Sequence, residues 1–354
     1  MRTPHSLLLG VLAGLTLCSF SRAQLPPQPN IVWVNDNTQT GNGNAFPFGS
    51  DGIRYQTLVT NATMGMAPAM ITDVFVNACT YVNTEVVYGD IEIKMGKTPV
   101  TALSNAWTTN NPNPTTVYRG PLRVRFKTGL WTGIGMPATY FWLPTSTSDN
   151  LCIEVIVWSV IDKGVYSQGQ NFYYPLAQSS VPRTYLYGWV QGGGYSNATL
   201  PGVGTGGAKL GLLFNDGNMV DLGTGCKSSV QTNLAISFDA GKWPRQGQPF
   251  NLNLSGAGNN QLGFVLLGSN DQTWGSLTLP LDLAVINAPG CKVWNDVLVS
   301  LGTVTNASGS ATYALQLPAG FVGLRLYASF GVLDPGANPL GFVTSNYAKL
   351  YVGN

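Results

Sequence analysis

The sequence predicts an all-β protein, and three features of its 354 residues lead to that prediction. Charged residues make up only 10% of the chain and Glu is almost absent, so residues that favour surface helices are scarce. Gly (43 residues) and Pro (22 residues) are frequent, as expected for a chain with many turns. Hydrophobic residues still reach 44%, which is too many for a disordered chain. Short strands joined by tight turns are the class that fits.

Residues 1–23 have the pattern of a cleaved signal peptide. Arg2 precedes an apolar run from Leu7 to Phe20, and Ser21-Arg22-Ala23 ends in a small-x-Ala cleavage pattern. That run is about 14 residues long, whereas a helix that crosses a bilayer needs about 20. No later segment is long and apolar enough to span a membrane. We therefore expect a secreted protein, extracellular or at the cell surface, with no transmembrane segment in the mature chain.

Removal of this leader leaves a neutral chain without histidine. Of the 18 Lys and Arg residues, Arg2 and Arg22 lie in the leader, so the remainder equals the 16 Asp and Glu residues. A neutral chain has no basic field for nucleic acid, and we expect no nucleic-acid partner. The single histidine, His5, is also lost, which excludes Ser-His-Asp and Cys-His catalysis and histidine metal sites. We predict no catalytic residues and no metal ligands.

Alternation of apolar and polar residues places the strands in two groups. A glycine-rich stretch at 191–207 precedes the change from one group to the other near residue 220. We predict two consecutive β-sandwich domains of jelly-roll or immunoglobulin-like type, at 24–220 and 221–354. The predicted strands are 72–79, 87–94, 122–127, 151–158 and 210–214 in the first domain, and 234–238, 250–254, 262–267, 311–317 and 322–328 in the second.

Four cysteines remain in the mature chain, namely Cys79, Cys152, Cys226 and Cys291. Export leads to an oxidising milieu, where an even number of cysteines indicates disulfides. One bridge in each domain, Cys79–Cys152 and Cys226–Cys291, is the only pairing that does not tie the domains together. Buried free thiols are the alternative.

A set of turn and strand segments occurs at 52–58 and 71–74 in the first domain, and at 279–283, 289–291, 334–341 and 345–346 in the second. These segments resemble secreted bacterial β-sandwich proteins of unknown function that have a recurrent C-terminal β-domain. The resemblance covers most of the mature chain. It implies secretion and the fold, and because the group has no assigned activity it implies no site.

Carboxylates are the only acid–base groups left for an enzyme. Glycoside hydrolysis needs two of them on either side of one bond. Asp90 and Glu92 share one face of a predicted strand, with Glu85 just before them, and Glu154 lies in an apolar run that could raise its pKa. The alternative is that these side chains point to solvent or that Glu154 pairs with an arginine.

Arg123 and Arg125 form, with Lys127, a basic stripe on one face of a predicted strand. This stripe could bind an anionic polysaccharide. The alternative is a charged outer face that discourages aggregation between sheet edges.

Aromatic clusters at 140–142, 172–174 and 185–189 are the remaining sign of ligand binding. Exposed rings stack on sugar faces, and we name Trp142, Trp189 and Tyr187 as candidates for such contacts. Core packing is the commoner fate of large rings, but neighbours on a strand point to opposite faces. At least one ring of each cluster should therefore face away from the core.

Two further motifs have weaker interpretations. The segment Gly202–Gly207 matches a dinucleotide-binding pattern, but β-type residues follow it and we interpret it as a connection. Loops rich in Asn and Asp, at 35–37 and 215–218, contain oxygen ligands of the kind that calcium prefers, although such residues are also common in turns. No cofactor is predicted, with calcium left open.

The sequence therefore predicts a secreted, non-catalytic structural or adhesive β-sandwich protein. A carbohydrate-binding protein that uses exposed aromatic residues is the alternative, and a carboxylate-based glycosidase is less favoured. The expected partners are a polysaccharide or another extracellular protein.

Overall fold

The computed structural model describes residues 17–18, 30–34, 41–43, 47–49, 52–78, 84–164, 176–178, 180–187, 189–190, 194–195 and 202–354. These residues form a predominantly β structure with antiparallel sheets, as the composition predicts. Within them, no helix is long and apolar enough to cross a membrane.

The first half of the chain contains seventeen described strands and two short helices. They are β1 (Leu17–Cys18), β2 (Ile31–Val34), β3 (Gly41–Gly43), β4 (Ile53–Val59), α1 (Asn61–Met64), β5 (Ala69–Asn77), β6 (Thr84–Thr98), α2 (Trp107–Asn110), β7 (Thr115–Phe126), β8 (Trp131–Gly133), β9 (Tyr140–Trp142), β10 (Asn150–Asp162), β11 (Leu176–Gln178), β12 (Arg183–Tyr187), β13 (Trp189–Val190), β14 (Gly194–Tyr195), β15 (Gly202–Gly204), β16 (Gly207–Ala208) and β17 (Leu210–Phe214).

The second half contains twelve described strands and one 3₁₀ helix. They are β18 (Asn218–Leu222), β19 (Ala235–Phe238), β20 (Pro249–Ser255), β21 (Leu262–Gly268), β22 (Thr273–Trp274), β23 (Leu277–Thr278), β24 (Leu281–Asp282), the 3₁₀ helix (Leu283–Ile286), β25 (Lys292–Val293), β26 (Val299–Val304), β27 (Ala311–Gln316), β28 (Arg325–Leu333) and β29 (Phe342–Tyr351).

Two sheets of the first half share one apolar core. One sheet has the strand order β15-β12-β4-β10-β6-β7, and the other has the order β2-β17-β5-β8 with β9 also paired to β5. Alternate residues of both sheets meet in the core, among them Tyr55, Ile93, Val155 and Leu212. Smaller ladders join β1-β3-β11-β16 and β13-β14.

A register shift in β6 determines which side chains reach the surface. Tyr88 and Ile91 both belong to the core, and the pairing of β6 with β7 shifts between them. Because strand side chains alternate, Glu85, Asp90 and Glu92 all lie on the opposite, outer face. The basic stripe on β7 is directly beside them, since Arg125 pairs with Glu85 in the register.

The segment around α2 covers part of this outer face. The Gln56 side chain donates to the carbonyl oxygen of Trp107 at 3.1 Å and accepts from the Asn110 amide at 2.9 Å. Asn111 approaches the backbone of Gly96 so closely that a Cβ there would be 2.1 Å from its Oδ1. A larger residue here would displace the Asn111 side chain, so the covering segment lies directly on the sheet.

The second half has its own core, formed by sheets of five and three strands. Their orders are β18-β29-β28-β21-β26 and β19-β20-β27. Leu252, Val265, Phe330 and Leu350 are among the buried residues that form it. Short ladders join β22-β23 and β24-β25.

The strand pairing changes partners close to the boundary predicted near residue 220. β17 pairs with β2 and β5, whereas β18 pairs with β29. The predicted boundary at 220 falls inside β18, because the turn at residues 215–217 is short and keeps the alternation continuous. The predicted strand 322–328 also begins later, at Arg325, because Gly323 has a positive φ of 85° within a turn.

One predicted disulfide is present and one is not. Cys226 and Cys291 are bonded across 65 residues. Cys152 instead carries a buried free thiol, so the prediction of a Cys79–Cys152 bridge is wrong at that end, and Cys79 lies outside the described residues. Cys152 belongs to the central strand β10 and is fully buried there, in line with the free-thiol alternative. Burial raises the pKa of this thiol, and the charge of Glu154 adds to the effect.

Candidate functional site

A network of ion pairs joins the two halves at the outer face of β6 and β7. Glu85 accepts from Arg123 Nη1 at 2.7 Å and from Arg125 Nη2 at 2.8 Å. It also accepts from the backbone N–H of Gly223, which follows β18, at 2.7 Å. A carboxylate of the first half therefore holds the backbone of the second.

The same network reaches back from the second half to the basic stripe. Asp221 accepts from Arg125 Nη1 at 2.8 Å and from Lys127 Nζ at 2.6 Å. Burial disfavours the ionised Asp221, but Lys127 and Arg125 outweigh it and lower the pKa of that carboxyl. The stripe therefore lies in the junction between the halves, where each of its three cations is paired with Glu85 or Asp221.

Asp73 of β5 forms a second, buried contact across the junction. Its carboxylate accepts from the backbone N–H groups of Val74 at 2.8 Å, Met136 at 3.0 Å and Gly135 at 3.2 Å. It also accepts from the side-chain amide of Asn218 in the second half. Burial dominates over these bonds and raises the pKa of Asp73 from 3.8 to about 6.

This raised pKa predicts a component of stability that is lost as the pH rises. The folded state holds the Asp73 proton more tightly than the unfolded state, so the contribution is complete below about pH 4 and disappears as the pH passes about 6. We expect the wild type to lose about 2 kcal/mol relative to Asp73→Asn between pH 4 and 7. Urea unfolding of both proteins across this range measures the difference. Parallel curves would contradict the prediction, since other carboxylates titrate alike in both proteins.

A cleft lies next to the ion-pair network, between the halves. Its volume is about 510 Å³, within the range of roughly 300–1,000 Å³ that is typical of small-molecule sites. β6, β7 and the end of β10 form one wall, and the segments around both cysteines of the Cys226–Cys291 disulfide form the other. The lining residues are Thr84, Glu85, Arg123, Arg125, Asp162, Gly164, Thr224, Gly290, Lys292 and Trp294.

Cationic groups surround an indole ring in this cleft. The guanidinium carbon of Arg123 lies 5.0 Å from the ring centroid of Trp294, and Lys292 Nζ lies 5.5 Å from it. Tyr347 stacks on the same indole, with centroids 5.6 Å apart and planes 12° apart. The indole N–H is buried and has no hydrogen-bond partner among the described residues. These contacts hold Trp294 as a fixed wall of the cleft.

The structure brings together only part of the predicted sugar-binding set. Arg123 and Arg125 line the cleft, but Trp142 is fully buried and donates to the carbonyl oxygen of Gly65 at 3.1 Å. Its candidacy as a stacking residue is therefore wrong, because alternation along β9 turns this ring inwards. Phe141 is the ring of that cluster that faces solvent, with 59% of its surface exposed.

The other two aromatic candidates can be placed only by their backbone. Tyr187 pairs with Ile53 at the end of β12, and Trp189 pairs with Tyr195 in β13. Their side chains lie outside the described residues, as does the whole cluster at 172–174.

The carboxylates considered for glycoside hydrolysis are each held by a cation. Glu154 is buried and accepts from Arg54 Nε at 2.7 Å, as well as from Gln56 at 2.8 Å. In addition to the pairs of Glu85, Asp90 contacts Arg119 at 3.2 Å and Glu92 contacts Lys94 at 3.3 Å.

The loop at 215–218 is committed to contacts within the protein. Both oxygens of Asp216 accept from Arg245 at 2.7 Å, and the Asn215 side-chain oxygen accepts from the Met70 N–H at 2.8 Å. The Asp216 carboxylate is thus paired with a guanidinium. The other loop proposed for calcium, 35–37, lies outside the described residues.

The glycine-rich segment at 202–207 contributes to two short strands, which agrees with its interpretation as a connection. β15 pairs with β12, β16 pairs with β11, and the strand β17 follows them. A dinucleotide site would need a helix at that point.

Sequence reasoning missed Lys292 and Trp294. They are two positions apart, a spacing that puts both side chains on one face of an extended segment, and this spacing was the available signal. Trp294 was overlooked because no other aromatic residue is near it in the sequence. Its ring partner Tyr347 is more than fifty positions away.

Searches of protein-family models and of curated proteins found no match to this chain. Its function must therefore be inferred from the geometry of the chain itself.

Proposed function

We propose that the protein is a secreted, non-catalytic structural or adhesive protein made of two β-sandwich domains. The observation that carries the proposal is the ion-pair network of Glu85, Arg123, Arg125, Lys127 and Asp221 between the halves. These ion pairs support two domains that are held together as one unit. A protein that bears load or presents a surface needs such a connection between its domains.

Several features of the chain support the finer parts of this proposal. Each half has its own core between two sheets, which is the arrangement of a β-sandwich. The pairing of Glu85 and Glu154 with arginines supports a non-catalytic role. The Cys226–Cys291 disulfide and the leader pattern at residues 1–23 support secretion.

Fractionation of the producing cells tests secretion and catalysis together. We expect the protein in the medium or in a surface wash, with Gln24 as its first residue by N-terminal sequencing. The purified protein should release no reducing ends from a panel of polysaccharides. An intact Met1 in the cytosolic fraction would overturn secretion. Reducing ends that disappear with Glu85→Gln or Glu154→Gln would overturn the non-catalytic role.

Carbohydrate binding is the second candidate, and the cleft between the halves favours it. Its walls combine charged side chains, two threonine hydroxyls and an indole within a volume suited to a small molecule. This locates the candidate site at Arg123 and Arg125 rather than at Trp142.

A further inference from the structure

We propose that the cleft between the halves binds an acidic sugar of the uronate type, through Lys292 and Arg123. The sugar carboxylate lies between these two cations, and Asp162 accepts from a sugar hydroxyl. This inference rests on the proposed carbohydrate binding and specifies its ligand.

Lys292 has no counter-ion in the described part of the chain. Its ammonium lies 5.5 Å from the Trp294 ring centroid, and no carboxylate there comes within ion-pair distance of it. Burial of a cation without an anion is unfavourable, and Lys292 is already partly buried. A carboxylate that enters the cleft would supply the missing partner.

Arg123 has hydrogen-bond donors to spare on the opposite wall. Its Nη1 donates to Glu85 at 2.7 Å, whereas Nε and Nη2 donate no hydrogen bond to a described residue. An arginine has five N–H donors in a planar fork that matches a carboxylate. Arg123 and Lys292 both line the cleft and approach the same indole, at 5.0 and 5.5 Å from its centroid, and the proposal places the ligand carboxylate against both cations.

The charge balance favours one ligand carboxylate inside the cleft. The network and the cleft walls contain four cations and three carboxylates, which leaves one unmatched positive charge. The cations are Arg123, Arg125, Lys127 and Lys292, and the carboxylates are Glu85, Asp162 and Asp221.

Asp162 favours a sugar acid over a carboxylate ligand without hydroxyls. Its Oδ1 accepts from the Gly164 N–H at 2.8 Å, and Oδ2 makes no hydrogen bond with a described residue. This oxygen repels a second carboxylate in the cleft but accepts from a hydroxyl. One ring of an oligouronate presents a carboxylate together with hydroxyls, whereas the side chains of an acidic peptide carry carboxylates and no hydroxyls.

Isothermal titration of the full-length secreted protein with tetragalacturonate tests the proposal. We expect saturable binding, with no binding of the neutral galactose tetramer. Lys292→Gln should weaken binding at least tenfold, because a charge-assisted contact is lost. The matched control is Lys242→Gln, which makes the same charge change at an exposed site that does not line the cleft.

Two further titrations distinguish a sugar acid from an acidic peptide as the source of the bound carboxylate. One uses tetraglutamate as the ligand, and the other uses the variant Asp162→Asn. For a sugar acid, Asp162→Asn should weaken tetragalacturonate binding, because amides accept less strongly than carboxylates. Equal binding of tetraglutamate, or binding of both anions that strengthens in Asp162→Asn, would overturn the assignment in favour of general anion attraction. Equal affinities of the wild type and Lys292→Gln would also overturn it.

An assay for reducing ends in the mixtures of protein and tetragalacturonate distinguishes a failure of this inference from a failure of the proposed function. Tetragalacturonate that binds without release of reducing ends agrees with both. Cleavage of the tetramer would overturn the non-catalytic proposal, whereas absence of binding with the protein still secreted would overturn only the assignment of the cleft.

Discussion

Replacement of both Cys226 and Cys291 by serine is expected to destabilise the second half by about 4 kcal/mol. The bond closes a loop of 65 residues, and its removal restores the conformational freedom of that loop in the unfolded chain. Hydrogen exchange of the amides in β28 and β29, which lie in the core sheet, should become roughly 1,000-fold faster where exchange follows global unfolding.

Cys152→Ala is the matched control for this experiment. Cys152 is a free thiol in the first half, so its removal opens no loop. We expect exchange in β28 and β29 to stay at the wild-type rate, with changes confined to the surroundings of β10. Equal exchange rates in the serine variant and the wild type would show that the disulfide contributes little to the stability of the second half.

Arg54→Met is expected to destabilise the first half by about 3–5 kcal/mol, because it leaves a buried charge without its partner. Glu154 is 2% exposed and Arg54 Nη2 lies 2.7 Å from its Oε1. The guanidinium also lies 4.5 Å from the Trp107 ring centroid, so its removal loosens the cover provided by α2. Urea unfolding measures the loss.

Arg119→Met removes a guanidinium from the same sheet as a control. Arg119 is 48% exposed and contacts Asp90 at 3.2 Å, so solvent screens this pair and its loss should cost far less than that of Arg54. Arg54→Met combined with Glu154→Leu should recover most of the stability, since the unpaired charge is then gone. Similar losses for Arg54→Met and Arg119→Met would contradict the buried-charge explanation.

The strands of the fold could be predicted because their alternation is a local property. The segments 122–127 and 151–158 lie within β7 and β10, except for one terminal residue of the first. The pairing of strands was not predictable in the same way. The acidic side chains of β6 and the basic stripe of β7 were recognised separately, yet they are neighbours in one sheet. Opposite charges at cross-strand positions favour such a pairing.

The candidate site could be predicted only in part. Arg123 and Arg125 were identified from their spacing, but the fate of Trp142 depends on which face of β9 meets the core. Alternation shows that successive side chains of β9 point to opposite faces, but it does not show which of the two faces meets the core. Lys292 comes to the cleft through contacts between the halves, and no sequence pattern encodes such contacts.

The Cys226–Cys291 disulfide also has a consequence for ligand recognition. The bond connects the segment that carries Thr224 to the one that carries Lys292, and both belong to one wall of the cleft. Binding of a ligand there would not carry the entropic cost of bringing these segments together, because the disulfide already holds them together in the folded protein. Preorganisation of this kind lets a shallow, polar site bind a small molecule with few direct contacts.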